Sequence, residues 1–361
     1  MQKNKSLKIL FISRAYPPTI GGIENQNYEI SQWLSKISTV KTIANPYGKK
    51  FFPIFFLIAL FKSLKLMRSY DVLLLGDGTL ALLGWIIKKV YHKPVVSIVH
   101  GLDITYPFFL YQKLWVKFFL PKLDKLIAVG KETIRQGVKK GIPEEKFIFI
   151  PNGVVTEKFQ GDYSRNDLNR ITNLNLSGKK IILTLGRLAK RKGVVWFIEN
   201  VMPDLDNDVI YLIAGDGQEK EKIKEVIKKN DLQDKVKLFT QFNDEERKIL
   251  YNTADLFVQP NIQVTGDMEG FGLVVLEAGS AQRVVIASEI EGLQDAIQNG
   301  KNGFLVESAN KERWIKKIEA ILKDDSFREI FGQRASEYVN KNYHWKEISQ
   351  KYLSALNSLV S

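Results

Sequence analysis

The chain has 361 residues, of which 45% are hydrophobic and 26% charged, and a formal net charge of +13. That length exceeds what a single hydrophobic core organises, so two domains are expected. There is no cysteine, and the three histidines His92, His100 and His344 form no His-x-x-x-His pair, which excludes disulfides, thiolate catalysis and cysteine zinc sites and argues against a histidine metal centre.

The charge is unevenly placed. Residues 1–175 hold 26 Lys and Arg against 12 Asp and Glu, and the rest hold 27 against 28. A positive field confined to one half attracts polyanions: an anionic membrane, nucleic acid or a phosphorylated substrate. Lys3, Lys5 and Lys8 precede only four apolar residues, 9–12, before Ser13 and Arg14, too short a run for a signal peptide. The longest apolar run, 51–61, has 11 residues and contains Pro53, whereas a spanning helix needs about 20. A cytoplasmic chain without a transmembrane anchor is the expectation.

Short β-branched apolar runs occur at 7–12, 40–44, 71–75, 95–99, 126–129 and 147–150, and again at 180–185, 209–214, 236–239, 255–258, 284–287 and 304–306. Helix-compatible stretches separate them. Apolar strands alternating with helices predict parallel sheets covered on both faces, and two such series predict two doubly wound α/β domains. The polar stretch 161–178 places the boundary, giving domains at 1–165 and 166–342. Residues 343–361 follow as a closing helix, with Trp345, Ile348, Tyr352, Leu353, Leu356 and Leu359 at helical spacing.

Candidate site residues cluster at predicted strand ends, where open α/β sheets bind ligands. After the first strand, Tyr16-Pro17-Pro18 leads into Gly21-Gly22-Ile23-Glu24, where the glycines let backbone N–H groups approach a phosphate. After the fourth come His100, Gly101, Leu102 and Asp103. After the first strand of the second series comes Gly186-Arg187-Leu188-Ala189-Lys190-Arg191-Lys192-Gly193. Arg offers phosphate a planar fork and Lys a compact charge. Ala214-Gly215-Asp216-Gly217 reads as a tight turn. The most informative stretch is Glu269-Gly270-Phe271-Gly272-Leu273-Val274-Val275-Leu276-Glu277, two carboxylates eight positions apart around a glycine turn that opens a helix. A helix N-terminus offers unpaired N–H groups and a positive dipole to an anion.

Together these segments resemble the retaining GT-B glycosyltransferases of family 4, the glycosyl transferases group 1. The Glu-x7-Glu element at Glu269 and Glu277 and the Gly-Arg-Leu…Lys-Gly element holding Arg187 and Lys192 carry the resemblance. It implies two Rossmann-like doubly wound parallel-sheet domains facing across a cleft, with the closing helix crossing back to the first. It also implies that Arg187 and Lys192 hold the donor diphosphate, Glu269 and His100 contact the transferred sugar, and Glu277 binds the ribose. Gly21, Gly22, Gly270, Phe271, Gly272 and Leu273 line the nucleotide-sugar site, and Asp103 takes a sugar- or acceptor-side role. No metal or cofactor is expected, since cationic side chains and helix N-termini neutralise the leaving diphosphate. Asp204-Leu205-Asp206 fits the metal-binding Asp-x-Asp pattern by chance. Lys190 and Arg191 match nothing in the family and read as exposed. The chain departs from the family at Gln282 and Val284, where glycine and proline are usual.

Two aromatic, lysine-flanked stretches, 51–68 and 106–125, suit helices lying in a bilayer interface or, equally, core helices with snorkelling lysines. With the basic half, they favour peripheral binding to an anionic membrane surface and a lipid-linked glycan acceptor, as in bacterial lipopolysaccharide, O-antigen or capsular polysaccharide assembly at the inner face of the plasma membrane. UDP is favoured over GDP as donor nucleotide. The competing readings are a GT-B-fold nucleotide-sugar epimerase and a nucleic-acid binder. The Glu269–Glu277 spacing argues against the first, and no nucleic-acid module supports the second.

Overall fold

The computed structural model describes residues 6–19 and 21–360 and divides the chain into two compact units. One holds residues 1–153 with 345–361, the other 154–344. The division thus falls at 153/154 and 344/345, not at 165/166 and 342/343. Residues 154–165 go with the second unit because the Val154 N–H donates to the Tyr343 carbonyl (2.8 Å) and the Phe159 ring packs on Tyr251.

The first unit is built on six strands: β1 (Lys8–Ser13), β2 (Thr39–Ala44), β3 (Val72–Leu75), β4 (Val95–Val99), β5 (Lys125–Ala128) and β6 (Phe147–Phe149). They pair in the order β2-β1-β3-β4-β5-β6, every pair parallel. Helices α1 (Gly22–Ser35), α2 (Phe52–Leu66), α3 (Ala81–Tyr91) and α4 (Leu102–Thr105) follow successive strands. A continuous helical run then comprises α5 (Phe109–Tyr111), a π-helical segment Gln112–Phe119 and α6 (Leu120–Lys122), before α7 (Lys131–Lys139). β3 and β4 are wholly buried, which is why they read as apolar runs, broken only by Ser97 in β4.

In the second unit, β7 (Lys180–Leu185), β8 (Val209–Ala214), β9 (Val236–Phe239), β10 (Leu256–Gln259), β11 (Val284–Ser288) and β12 (Phe304–Val306) pair in the order β12-β11-β10-β7-β8-β9, again all parallel. The helices are α8 (Arg165–Thr172), α9 (Val194–Asn200), α10 (Lys220–Lys229), α11 (Asp244–Thr253), α12 (Leu273–Ser280), α13 (Leu293–Ala296), α14 (Lys311–Leu322) and α15 (Asp325–Tyr343). Its core centres on Phe197, with Tyr211 and Trp314 at ring distances of 4.8 and 5.8 Å.

The closing helix, α16 (Trp345–Asn357), packs on α1 within the first unit. Trp345, Ile348, Tyr352 and Leu356 recur on one face and are all buried. A Cβ at Gly153 would lie 2.6 Å from the Trp345 ring, so the indole lies directly on that glycine. Among the described residues no helix is long and apolar enough to cross a membrane.

Candidate functional site

The second unit gathers its candidate residues at the carboxyl ends of β7, β10 and β11. Lys192 ends the turn after β7, and its Nζ donates to Glu269 Oε2 at 2.5 Å. Both side chains are buried. Asn261, two residues beyond β10, donates its Nδ2 to the same oxygen (3.1 Å), and Arg191 Nε lies 3.7 Å from it. Burial pushes the Glu269 carboxyl up, but Lys192 and Arg191 outweigh burial and hold it down at about 2. Glu269 is therefore an acceptor-only carboxylate at neutral pH.

The backbone fixes this carboxylate. The Glu269 N–H donates to Glu291 Oε2 (2.5 Å), and its carbonyl accepts from the Gly292 N–H (3.1 Å). The chain then turns at Gly272, whose φ of +85° lies in the left-handed region, and α12 starts at Leu273. Gly270 and Phe271 form the bridge, with the Phe271 ring buried against Tyr343 (6.2 Å).

Glu277 lies on α12, within two turns of its start. It is buried, and its Oε2 accepts from the Arg247 guanidinium and from the Tyr251 hydroxyl (2.7 Å), both on α11. Burial lowers the Arg247 value, yet Glu277 outweighs it and raises the guanidinium well above its ordinary range. Burial, and then the Glu277 charge, raises the Tyr251 hydroxyl, so it stays a donor. Among the described residues the hydrogen bonds to both glutamates land on Oε2, leaving each Oε1 for a ligand. Lys192 likewise keeps two of its three N–H donors. Arg187 is exposed on the same turn as Lys192.

Arg191 corrects the reading of its loop. It is not simply exposed, since its side chain is 17% accessible and its Nε lies 3.7 Å from both Asp267 and Glu269. Asn261, Arg191, Arg247, Tyr251 and Glu291 complete the two carboxylate sites. Of these the sequence reading named only Arg191, and as an exposed residue.

In the first unit, Gly21 is extended, with φ 171°, and precedes Gly22, the first residue of α1. A Cβ on Gly22 would meet nothing within 4 Å. His100 Nε2–H donates to the Gly76 carbonyl (2.9 Å); a carbonyl can only accept, so in the neutral ring Nδ1 is an open acceptor. Asp103 is buried, and its carboxylate accepts from the Gly78 N–H (2.9 Å) and the His100 N–H (3.1 Å). Its oxygens organise the two turns, and it also lines a pocket with Arg14 and Tyr111.

Comparison with known proteins places this arrangement. Residues 166–338 match the family model for glycosyl transferases group 1, and residues 36–158 match that for glycosyltransferase family 4. The capsular polysaccharide biosynthesis glycosyltransferase CapM of Staphylococcus aureus is 25% identical over 98% of this chain and 97% of its own length. The UDP-Gal:alpha-D-GlcNAc-diphosphoundecaprenol alpha-1,3-galactosyltransferase of Escherichia coli is 28% identical over 74% of this chain and 70% of its own. Among solved structures, Anabaena Alr3699/HepE in complex with UDP-glucose superposes with a TM-score of 0.76 at 18% identity, covering 98% of this chain and 100% of that one. With two six-stranded parallel sheets and two glycosyltransferase models that between them match well over half of its residues, the chain belongs to the GT-B glycosyltransferases of the group 1 and family 4 type.

Proposed function

We propose that the protein is a retaining glycosyltransferase that moves a sugar from UDP to a hydroxyl of a lipid-linked glycan, without a metal, at an anionic membrane surface. The observation that carries the reading is the Lys192–Glu269 pair beside the N-terminus of α12, with Glu277 on the same helix. When the glycosyl–phosphate bond breaks, negative charge grows on the diphosphate. Lys192, Arg187 and the first N–H groups of α12 supply positive groups fixed in advance of that charge. The ionised Glu269 accepts from sugar hydroxyls through Oε1, and Glu277 accepts from the ribose. For His100, whose Nδ1 is an open acceptor, the family resemblance implies a contact to the transferred sugar. The acceptor hydroxyl attacks the face that the diphosphate leaves, and its proton passes to the departing phosphate oxygen, so configuration is kept and no protein base is needed.

UDP as nucleotide is supported by HepE, solved with UDP-glucose. A lipid-linked acceptor is supported by the Escherichia coli relative, whose substrate is a diphosphoundecaprenol glycan. The membrane surface is supported by exposed apolar side chains on α2 and the 102–118 region, Phe61 at 65% and Phe109 at 75% among them, beside the lysines of the basic half.

The test is nucleotide release from a panel of UDP- and GDP-sugars, with EDTA, with and without diphosphoundecaprenol-linked glycans. Acceptor-dependent release from a UDP-sugar, insensitive to EDTA, is expected. Glu269→Ala should lower turnover by at least about 100-fold with nucleotide affinity largely kept. Wild-type turnover by that variant would reject the role given to Glu269, and failure of every nucleotide sugar to bind would reject the donor site itself.

A further inference from the structure

The first unit contains a second charged pocket that the donor chemistry does not use. It has a volume of about 350 Å³ and is lined by Arg14, Lys49, Phe52, Asp103 and Tyr111, with Ile23, Leu102 and Tyr106 adding apolar wall. Arg14 is the fixed cation. Its Nε donates to Asp77 Oδ1 (3.0 Å) and Thr79 Oγ1 (2.7 Å), and Asp77 is wholly buried. Both bonds are made by the single Nε–H. Among the described residues its terminal nitrogens have no hydrogen-bond partner and serve the pocket. Lys49 is exposed and, among the described residues, forms no ion pair.

The remaining wall is hydrocarbon and ring. Leu102 and Tyr106 are 55% and 47% exposed, so the apolar side opens outward. Tyr106 meets Tyr111 edge-on (5.7 Å), and Tyr111 stacks on Trp115 (5.8 Å). The Tyr111 hydroxyl is occupied by the Asp103 carbonyl (2.9 Å), which presents the ring as an apolar face. The lining carries two cations, Arg14 and Lys49, and one carboxylate, Asp103, whose oxygens already accept from the Gly78 and His100 N–H groups. Beside the apolar wall, the open Arg14 terminal N–H groups and the unpaired Lys49 complement an amphiphile whose anionic group is attached directly to a hydrocarbon chain. A neutral glycan offers no anion to Lys49, which has no ion-pair partner among the described residues, whereas Arg14 is already paired with Asp77, and a nucleotide has no chain for the apolar wall. The volume suits a diphosphate with its first few carbons, the rest of the chain leaving by the exposed side.

We propose that this pocket holds the phosphate-proximal end of a prenyl diphosphate, with Arg14 and Lys49 on the phosphates and Phe52, Leu102 and Tyr106 on the chain. This rests on the reading of a lipid-linked acceptor and adds residues that recognise its lipid end. Farnesyl diphosphate, farnesol and inorganic pyrophosphate are the probes, titrated below micelle formation against the full chain and followed by tryptophan fluorescence and calorimetry. Farnesyl diphosphate should bind at least about tenfold more tightly than either fragment, the factor expected of one charge-assisted contact. Lys49→Glu, at an exposed position, should weaken farnesyl diphosphate about tenfold and leave farnesol and UDP-glucose affinities unchanged. Arg14→Gln should do the same where it folds.

Equal affinity for farnesol and farnesyl diphosphate, or no effect of Lys49→Glu, would overturn the proposal. So would a Lys49→Glu defect seen only on phosphatidylglycerol vesicles, which would assign the lysine to a bilayer surface. UDP-glucose titration is independent of these measurements, so failure of the donor reading and failure of this pocket give different results.

Discussion

Glu269 is a carboxylate with almost no access to water, and it persists as an anion because Lys192 reaches it at 2.5 Å and Arg191 stands 3.7 Å away. Its value falls from an ordinary 4.5 to about 2. A folded value below the unfolded one means that the stabilisation is complete above about pH 5 and is lost as pH falls through 4.5 toward 2. The shift is worth about 3 kcal/mol. Glu269→Gln keeps the shape and removes the charge. The urea midpoint of wild type should exceed that of the variant by a constant gap at pH 6–8, and the gap should close progressively between pH 4.5 and pH 2. A gap unchanged at pH 3 would mean that the ion pair does not stabilise the fold. In the proposed role the same pair has a cost for donor binding, because Lys192 would share its donors between Glu269 and the diphosphate. Lys192→Ala should therefore both lower turnover and destabilise, since it leaves Glu269 with Arg191 and Asn261 alone, and removing one partner of a buried pair costs about 3–5 kcal/mol.

Two turns hold the charged residues in place, and each depends on a glycine. Gly272 has φ +85°, and a Cβ there would sit 2.6 Å from the Leu293 Cδ2 methyl, which can rotate away. Gly193 has φ +66°, and its Cβ would sit 1.8 Å from the Pro260 carbonyl oxygen, which is backbone and cannot. Gly272→Ala should thus cost about 1–2 kcal/mol, the left-handed penalty, and raise the KM for the donor. Gly193→Ala should lower the thermal midpoint further. Equal losses would show that the carbonyl yields as easily as the methyl. These turns were legible in the sequence because each follows an apolar strand and precedes a helix. All twelve strands were legible to within a residue or two: the inner ones are buried, mostly apolar runs, and the partly buried edge strands β2, β6, β9 and β12 are short β-branched or aromatic runs between helix-compatible stretches. The partners were not legible, because the contacts are distant in the chain. Lys192 and Glu269 are 77 residues apart, Arg14 and Asp77 63, and Arg247 and Glu277 30. At Gln282, where the family usually has glycine, the residue takes φ +61°. The departure is accommodated as backbone strain, with no change in topology.

The two halves of the molecule divide the work by surface chemistry. The second unit, nearly neutral, buries charged pairs at the proposed donor site, Lys192–Glu269 and Arg247–Glu277, while the excess positive charge lies in residues 1–175. Helix α2 is apolar on both sides. Phe55 and Ala59 are buried, while Ile54, Leu57, Ile58 and Phe61 are 57%, 56%, 46% and 65% exposed. Between α2 and β2 runs a groove of 810 Å³ lined by Tyr47, Phe51 and Ile58 with Lys41, Lys62 and Lys65 on its walls. A helix that is apolar all round and yet exposed on one face needs a further apolar phase to cover it. If that phase is an anionic bilayer, two terms act together, and salt separates them. Lysine attraction, about 1 kcal/mol per residue, is screened as the Debye length shrinks from about 10 Å at 0.1 M to about 3 Å at 1 M, whereas apolar burial is not. Flotation with phosphatidylglycerol vesicles should therefore weaken at 1 M salt but not vanish. Ile54→Asp with Phe61→Asp should weaken it at both salt concentrations by at least about 100-fold, since each change removes apolar burial and adds a repelled charge. Because both side chains point away from the core, the thermal midpoint and UDP-glucose affinity should be unchanged. Flotation lost completely at 1 M salt in the wild type would reduce the surface to its charge alone, and the exposed face of α2 would then require a protein partner.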